Sequence, residues 1–125
     1  MNVYATNNAP AAIGPYSQAT GLGSLVFLSG QIPLDPATGT LVTGDIKAET
    51  EQVMKNLAAV LTEAGSSFER VLRCTIYLTN MDDFQAVNEV YGTRFPGAKP
   101  ARATVQVAGL PRGARVEIDA IAHRE

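Results

Sequence analysis

The sequence predicts an α+β layer fold in which two helices cover one face of a β-sheet. Three observations predict it. Residues 46–64 and about 83–95 carry apolar side chains at three- and four-residue steps, the helical period. The segments 24–29, 71–79, 101–107 and 116–122 carry short apolar runs or strict alternation, the signature of strands. The two kinds interleave as strands, helix, strand, helix, strands. At 125 residues and 46% hydrophobic, residues 1–125 are expected to form one domain that buries a core without disulfides or metals.

Each element has a local reason. Pro10, Gly14 and Pro15 make residues 8–15 an irregular loop. The run 24–29, bounded by Gly23 and Gly30, is expected to be a strand buried on both faces. A turn over 33–39 follows. In the first helix Ile46, Val53, Leu57, Val60, Leu61 and Ala64 share one face; Asp45 caps its start and Gly65 its end. Ser66 with Glu69 fits a capping box for one more short turn. In 71–79, Cys74, Ile76 and Leu78 oppose Arg73, Thr75, Tyr77 and Thr79. Asn80 or Asp82 caps the second helix, whose stripe is Phe84, Val87, Tyr91 and Phe95; Pro96 and Gly97 stop it. The last third is two strands joined by a turn at 109–113. In 101–107, Ala103, Val105 and Val107 oppose Arg102, Thr104 and Gln106. In 116–122, Val116, Ile118, Ala120 and Ala122 oppose Glu117, Asp119 and Ile121. The helices cover one face only, so the other face is either solvated or buried in an oligomer.

Composition narrows the function. A net charge of −2 without a basic block argues against a nucleic-acid partner held by phosphate contacts. Cys74 stands alone, and one His with one Cys cannot supply a Cys/His metal cluster. Gly21-Leu22-Gly23 does not continue into a dinucleotide fingerprint, and no other cofactor motif is present. No apolar run approaches the ~20 residues of a membrane span. The start, Met1-Asn2-Val3-Tyr4, lacks the charged and apolar regions of a secretory signal, which leaves the cytoplasm as the expected compartment.

A few polar residues fall at unusual positions. Arg102 sits on a strand among small and apolar neighbours, and a guanidinium there needs a partner. That partner is either Glu117, Asp119 or another carboxylate of the chain, or the carboxylate of a ligand, which the planar fork binds through two parallel hydrogen bonds. Glu117 is either a solvated residue on an edge strand or a general base for water. Asn88 falls along the apolar stripe of the second helix, where a buried amide must find a structural or ligand partner. Tyr16 either packs or closes a pocket with its phenol. Cys74 reads as an inert core thiol, and His123, beside the C-terminal residues, is assigned no role.

Four segments, in order, resemble the YjgF/RidA family of reactive-intermediate deaminases. They are Asn8-Ala9-Pro10 with Gly14-Pro15-Tyr16-Ser17-Gln18-Ala19; Leu28-Ser29-Gly30-Gln31-Ile32-Pro33; Asn80 to Tyr91, with Asp83-Phe84 and Val87-Asn88; and Pro100-Ala101-Arg102-Ala103-Thr104-Val105, followed by Leu110-Pro111 and Val116-Glu117-Ile118. The resemblance implies a chorismate-mutase-like fold: a mixed β-sheet carrying two helices on one face, assembled as a homotrimer with a cleft between each pair of neighbours. It makes Arg102 the carboxylate clamp and Glu117 the residue that positions the hydrolytic water. It places Tyr16, Asn88, Ser29 and Gly30 along the cleft. Thr104 stands where many relatives have a cysteine. A covalent thiol is thereby excluded at this position, and the contact implied is the Thr104 backbone carbonyl. Gly109 replaces a basic residue of some relatives, and the loop at Gly97 is short.

The activity implied is metal- and cofactor-independent hydrolysis of 2-iminobutanoate, 2-iminopropanoate and their enamine tautomers. Dehydratases that use pyridoxal phosphate release these compounds; the products are 2-keto acids and ammonia. Rival classes are a non-catalytic protein that binds small carboxylates such as keto acids, an endoribonuclease or translation inhibitor, and, by fold alone, a chorismate mutase.

Overall fold

The computed structural model describes residues 1–124. In chain order the elements are β1 (Asn2–Tyr4), β2 (Ala19–Leu22), β3 (Leu25–Gln31), β4 (Leu34–Asp35), β5 (Thr40–Leu41), α1 (Ile46–Glu63), β6 (Val71–Leu78), α2 (Phe84–Gly92), β7 (Ala101–Gln106) and β8 (Val116–His123). Six strands form one sheet in the order β1-β2-β3-β8-β6-β7, and β4 pairs with β5 as a separate hairpin. Only β6 and β7 run parallel; the other neighbouring pairs are antiparallel, so the sheet is mixed. Helix α2 is the crossover that a parallel pair requires. Helix α1 connects β3 to β6, and β8 inserts between those two strands. Both connections lie on the same face, which is why both helices do.

The core follows from β8. Having a neighbour on each side, it alternates strictly: Val116, Ile118, Ala120 and Ala122 are buried under the helices, while Glu117, Asp119 and Ile121 face away. Val26 and Leu28 of β3 and Cys74, Ile76 and Leu78 of β6 continue the layer. Val53, Leu57, Val60 and Leu61 of α1 and Val87 and Tyr91 of α2 close it. Burying each such aliphatic side chain contributes about 1.5–3 kcal/mol. Asp45 caps α1 by accepting from the Lys47 amide at 3.0 Å, and Gly65 takes the left-handed turn (φ 76°) that ends it.

Several expectations are corrected. β3 is buried on one face only: Leu25 and Phe27 are exposed, because no element covers that face. Ser66 forms no capping box; its hydroxyl donates to the His123 carbonyl at 2.7 Å, and the turn Phe68–Arg70 starts without a side-chain cap. Helix α2 stops at Gly92, short of 95. Phe95 is nevertheless buried, since tight turns carry the chain on (Phe95 N–H to the Gly92 carbonyl, 3.1 Å). The last two strands are not neighbours, because β7 lies at the sheet edge beside β6. Its Arg102 and Thr104 face the helix side, and Ala103 and Val105 the open side.

Candidate active site

The site begins at an irregularity in β3. Leu28 pairs with Ala120 and Gln31 with Ile118, so β3 carries one residue more than β8 between them. This bulge, at Ser29 and Gly30, opens the sheet beside Glu117. Gly30 is the residue that permits the approach. A Cβ there would lie 2.7 Å from Glu117 Cδ and 2.9 Å from Cγ, inside van der Waals contact. The Glu117 side chain thus lies directly on the strand backbone.

Glu117 lines a cavity of about 450 Å³ with Tyr16, Ser29, Gly30, Ile32 and Arg112. The loop that carries Tyr16 is held by Gln18. Its buried amide donates to the Thr6 and Pro10 carbonyls (3.0 and 2.7 Å) and accepts from the Thr6 N–H (2.7 Å). The Ser29 hydroxyl is committed to the Ser17 carbonyl at 2.6 Å, which leaves Gly30 and the strand backbone to face the cavity. Burial, and then the neighbouring Asp119 carboxylate, push the Glu117 carboxyl above its ordinary range. A carboxyl so placed takes a proton from water more readily than an exposed one.

Arg102 lies elsewhere. Its guanidinium sits over the Tyr91 and Phe84 rings, 5.1 and 5.6 Å from their centroids, and donates to Asn88 Oδ1 at 2.6 Å. It forms no ion pair with Glu117 or Asp119 among the described residues. Asn88 is exposed rather than buried, because its side of α2 looks past the edge strand β7 instead of into the core. Around Arg102 is a second hollow of about 430 Å³, with Asn88, Tyr91, Phe95 and Lys99. The Thr104 hydroxyl, on the same face of β7, is buried without a hydrogen-bond partner, and the buried Tyr91 hydroxyl lies against the Cys74 thiol. Burial pushes the Tyr91 phenol up, and the Cys74 thiol up to about 11, which keeps Cys74 an inert core residue.

The sequence candidates therefore fall into two groups. Tyr16, Ser29, Gly30 and Glu117 meet at one cavity and Asn88 and Arg102 at another, with Thr104 two residues beyond Arg102 on the same face of β7. Arg102 pairs with Cys74 and Glu117 with Tyr77, three residues further along β6. That offset is about 10 Å along the strands, with about 10 Å more across the two strand spacings. The two side chains also leave opposite faces of the sheet. One chain by itself does not bring Arg102 and Glu117 to a common small substrate.

Two residues escaped sequence reasoning. Arg112 lines the Glu117 cavity and is the one non-glycine residue among those described with a left-handed backbone (φ 59°). A cation in the Pro111-Arg112-Gly113 turn was the available signal. Asp119, which the sequence offers only as a partner for Arg102, instead accepts from the Tyr77 hydroxyl and the Thr75 amide at 3.0 and 3.2 Å. Among the described residues no cluster of three or more His, Cys, Asp or Glu is placed to hold a metal ion, and no helix is long and apolar enough to cross a membrane.

Comparison with known proteins agrees with this architecture. The family model described as Endoribonuclease L-PSP matches residues 6–124. Protein DfrA of Myxococcus xanthus is 62% identical over 119 residues, covering 94% of this chain and 91% of DfrA. The 2-iminobutanoate/2-iminopropanoate deaminase of Mus musculus is 52% identical over 120 residues, covering 96% of this chain and 89% of the mouse protein. The crystal structure of E. coli TdcF with bound serine superposes with a TM-score of 0.95 at 40% identity, over the full length of both chains. The chain belongs to the Endoribonuclease L-PSP family, the YjgF/RidA family that its four sequence segments resemble.

Proposed function

We propose that the protein is an imine/enamine deaminase that hydrolyses 2-iminobutanoate and 2-iminopropanoate to 2-keto acids and ammonia at sites shared between copies of a homotrimer. The observation that carries the shared site is the separation of Arg102 from Glu117 on one chain. A neighbour packed on the open sheet face can supply the missing half of each site. The exposed Leu25, Phe27 and Val105 offer that face an apolar surface to bury. The mouse relative's name supports the reaction, and the serine held by TdcF is, like the substrate, a small molecule with a carboxylate.

The chemistry needs little beyond positioning. Arg102, steered by Asn88 and braced on Tyr91, holds the substrate carboxylate bidentately. The protonated imine carbon is already electrophilic. Glu117 of the neighbouring copy takes a proton as water oxygen bonds to that carbon. Glu117 passes that proton to nitrogen, the C–N bond breaks, and the departing ammonia takes the hydroxyl proton as the carbonyl forms, leaving as ammonium. Tyr16 and the Gly30 backbone line the cavity, and Thr104 contributes through its main chain. General acid–base help of about 10²–10⁴-fold adds to the gain from orientation.

The family description names RNA cleavage instead. A net charge of −2 counts against the phosphate contacts such a substrate requires. The deciding assay follows keto-acid release from a dehydratase reaction with and without the protein. Acceleration by wild type and its loss in Arg102→Ala are expected. A wild-type protein that binds keto acid without speeding imine decay would contradict the reaction and leave a carboxylate-binding protein.

A further inference from the structure

We propose that Asp119 is a positioning residue for this reaction: a negative charge fixed beside Glu117 that makes Glu117 the stronger base. The inference rests on the base role of Glu117. The two carboxylates are two residues apart on β8 and leave the same face of the sheet, about 7 Å from one Cα to the other. Asp119 is not free to swing away. The Tyr77 hydroxyl donates to Oδ2 at 3.0 Å and the Thr75 amide to Oδ1 at 3.2 Å. Both donors come from β6, the strand paired with β8 at these positions, where Thr75 stands opposite Asp119 and Tyr77 opposite Glu117. These two hydrogen bonds hold the Asp119 carboxylate in place.

Within one chain Asp119 is the charged neighbour of Glu117, and in the proposed assembly the neighbouring copy's Arg102, which faces the same cavity, is occupied by the substrate carboxylate. On β8 its titratable neighbour is Asp119. On β6 it faces Tyr77, whose hydroxyl is turned to Asp119. On β3 it meets Ser29 and Gly30, which carry no charge. Across the cavity stand Tyr16 and Arg112, and the Arg112 guanidinium reaches instead toward the Gly39 carbonyl at 3.4 Å. Arg73 lies with Thr75 and Asp119 in the adjoining hollow, on the far side of Asp119 from Glu117. A fixed anion beside a half-buried carboxyl disfavours its ionised form, as in other sites where two carboxylates carry separate roles. Asp119 is held by its two donors on β6, and Glu117 is left facing the cavity to accept the proton.

The test is the ¹³C titration of the Glu and Asp side-chain carboxyls in the assembled protein, run with the pH–rate profile. In Asp119→Asn the Glu117 midpoint falls, the acid limb of the profile falls with it, and the plateau rate drops about threefold as the base weakens. In Asp119→Glu the charge is kept, and both midpoints stay near wild type. A Glu117 midpoint unmoved in Asp119→Asn overturns the proposal. Should that variant fail to assemble, the wild-type spectra decide the matter. Coupled groups each show the other's inflection, and two independent one-step curves overturn the proposal. Turnover that survives Glu117→Gln, with the two carboxyls coupled in the wild-type spectra, would overturn the base role of Glu117 and not the coupling.

Discussion

Substituting Gly30 by Ala isolates the position of the Glu117 carboxylate from everything else in the site. The added Cβ would stand 2.7 Å from Glu117 Cδ and 2.9 Å from Cγ. An unstrained carbon–carbon contact is about 3.5–4.0 Å, so the carboxylate must retreat by about 1 Å. The neighbour that yields is the end of a side chain rather than backbone, and Gly30 is not in the left-handed region. The fold therefore loses little, about 1 kcal/mol or less, the scale of a modest rotamer adjustment. Catalysis loses more, because displacing a reacting group by about 1 Å costs about 10²-fold. Steady-state imine hydrolysis should show that loss mainly in kcat, and thermal melting should stay within a few degrees of wild type. A Gly30→Ala enzyme with wild-type kcat would refute the reasoning. So would one that loses activity only because it has unfolded.

Other perturbations probe the remaining parts. Asn88→Ala removes the hydrogen bond that orients Arg102; KM should rise about fivefold with little change in melting temperature, and an unchanged KM would free Arg102 from its amide. In Glu117→Gln turnover should fall about 10²-fold or more, while stability at neutral pH rises. The sign follows from the raised Glu117 carboxyl. The native state binds that proton more tightly than the unfolded chain, so wild-type stability declines as pH climbs from the ordinary carboxylate range through the raised midpoint. The Gln variant lacks that decline, which melting curves across the acid-to-neutral range will detect. Arg112→Gly relieves a left-handed non-glycine backbone and should gain about 0.5–1 kcal/mol in a denaturant titration; a loss would mean that the side chain contributes more than the strain costs.

Where a pattern has a period and a covered face, it was legible in the sequence. β8 alternates because it is central, and α1 shows one apolar stripe with Asp45 and Gly65 at its ends. β1 and β2 carry no such signal: they are three and four residues long and lie at or near the sheet edge. The β4–β5 hairpin has two residues per strand, too few for any period. In the site, Arg102 stood out as a charge among apolar neighbours, and its nearness to Asn88 follows from the packing of α2 over β7. The seating of Glu117 on Gly30 was not legible, because it joins positions far apart in sequence through a bulge that no local pattern announces. The division of the candidates between two cavities was hidden for a related reason. Arg102 and Glu117 are close in sequence, yet β7 and β8 are separated by β6.

That division makes the shared site the central claim, and mixing inactive subunits tests it most directly. Arg102→Ala and Glu117→Gln chains, each inactive alone, are co-expressed with different tags, and the doubly tagged oligomer is purified. If Arg102 of one copy works with Glu117 of the next, each mixed trimer holds both groups at one of its three sites, so activity returns to roughly a third of wild type. Mixed oligomers as inactive as either parent would contradict the shared site and place both residues' work within one chain.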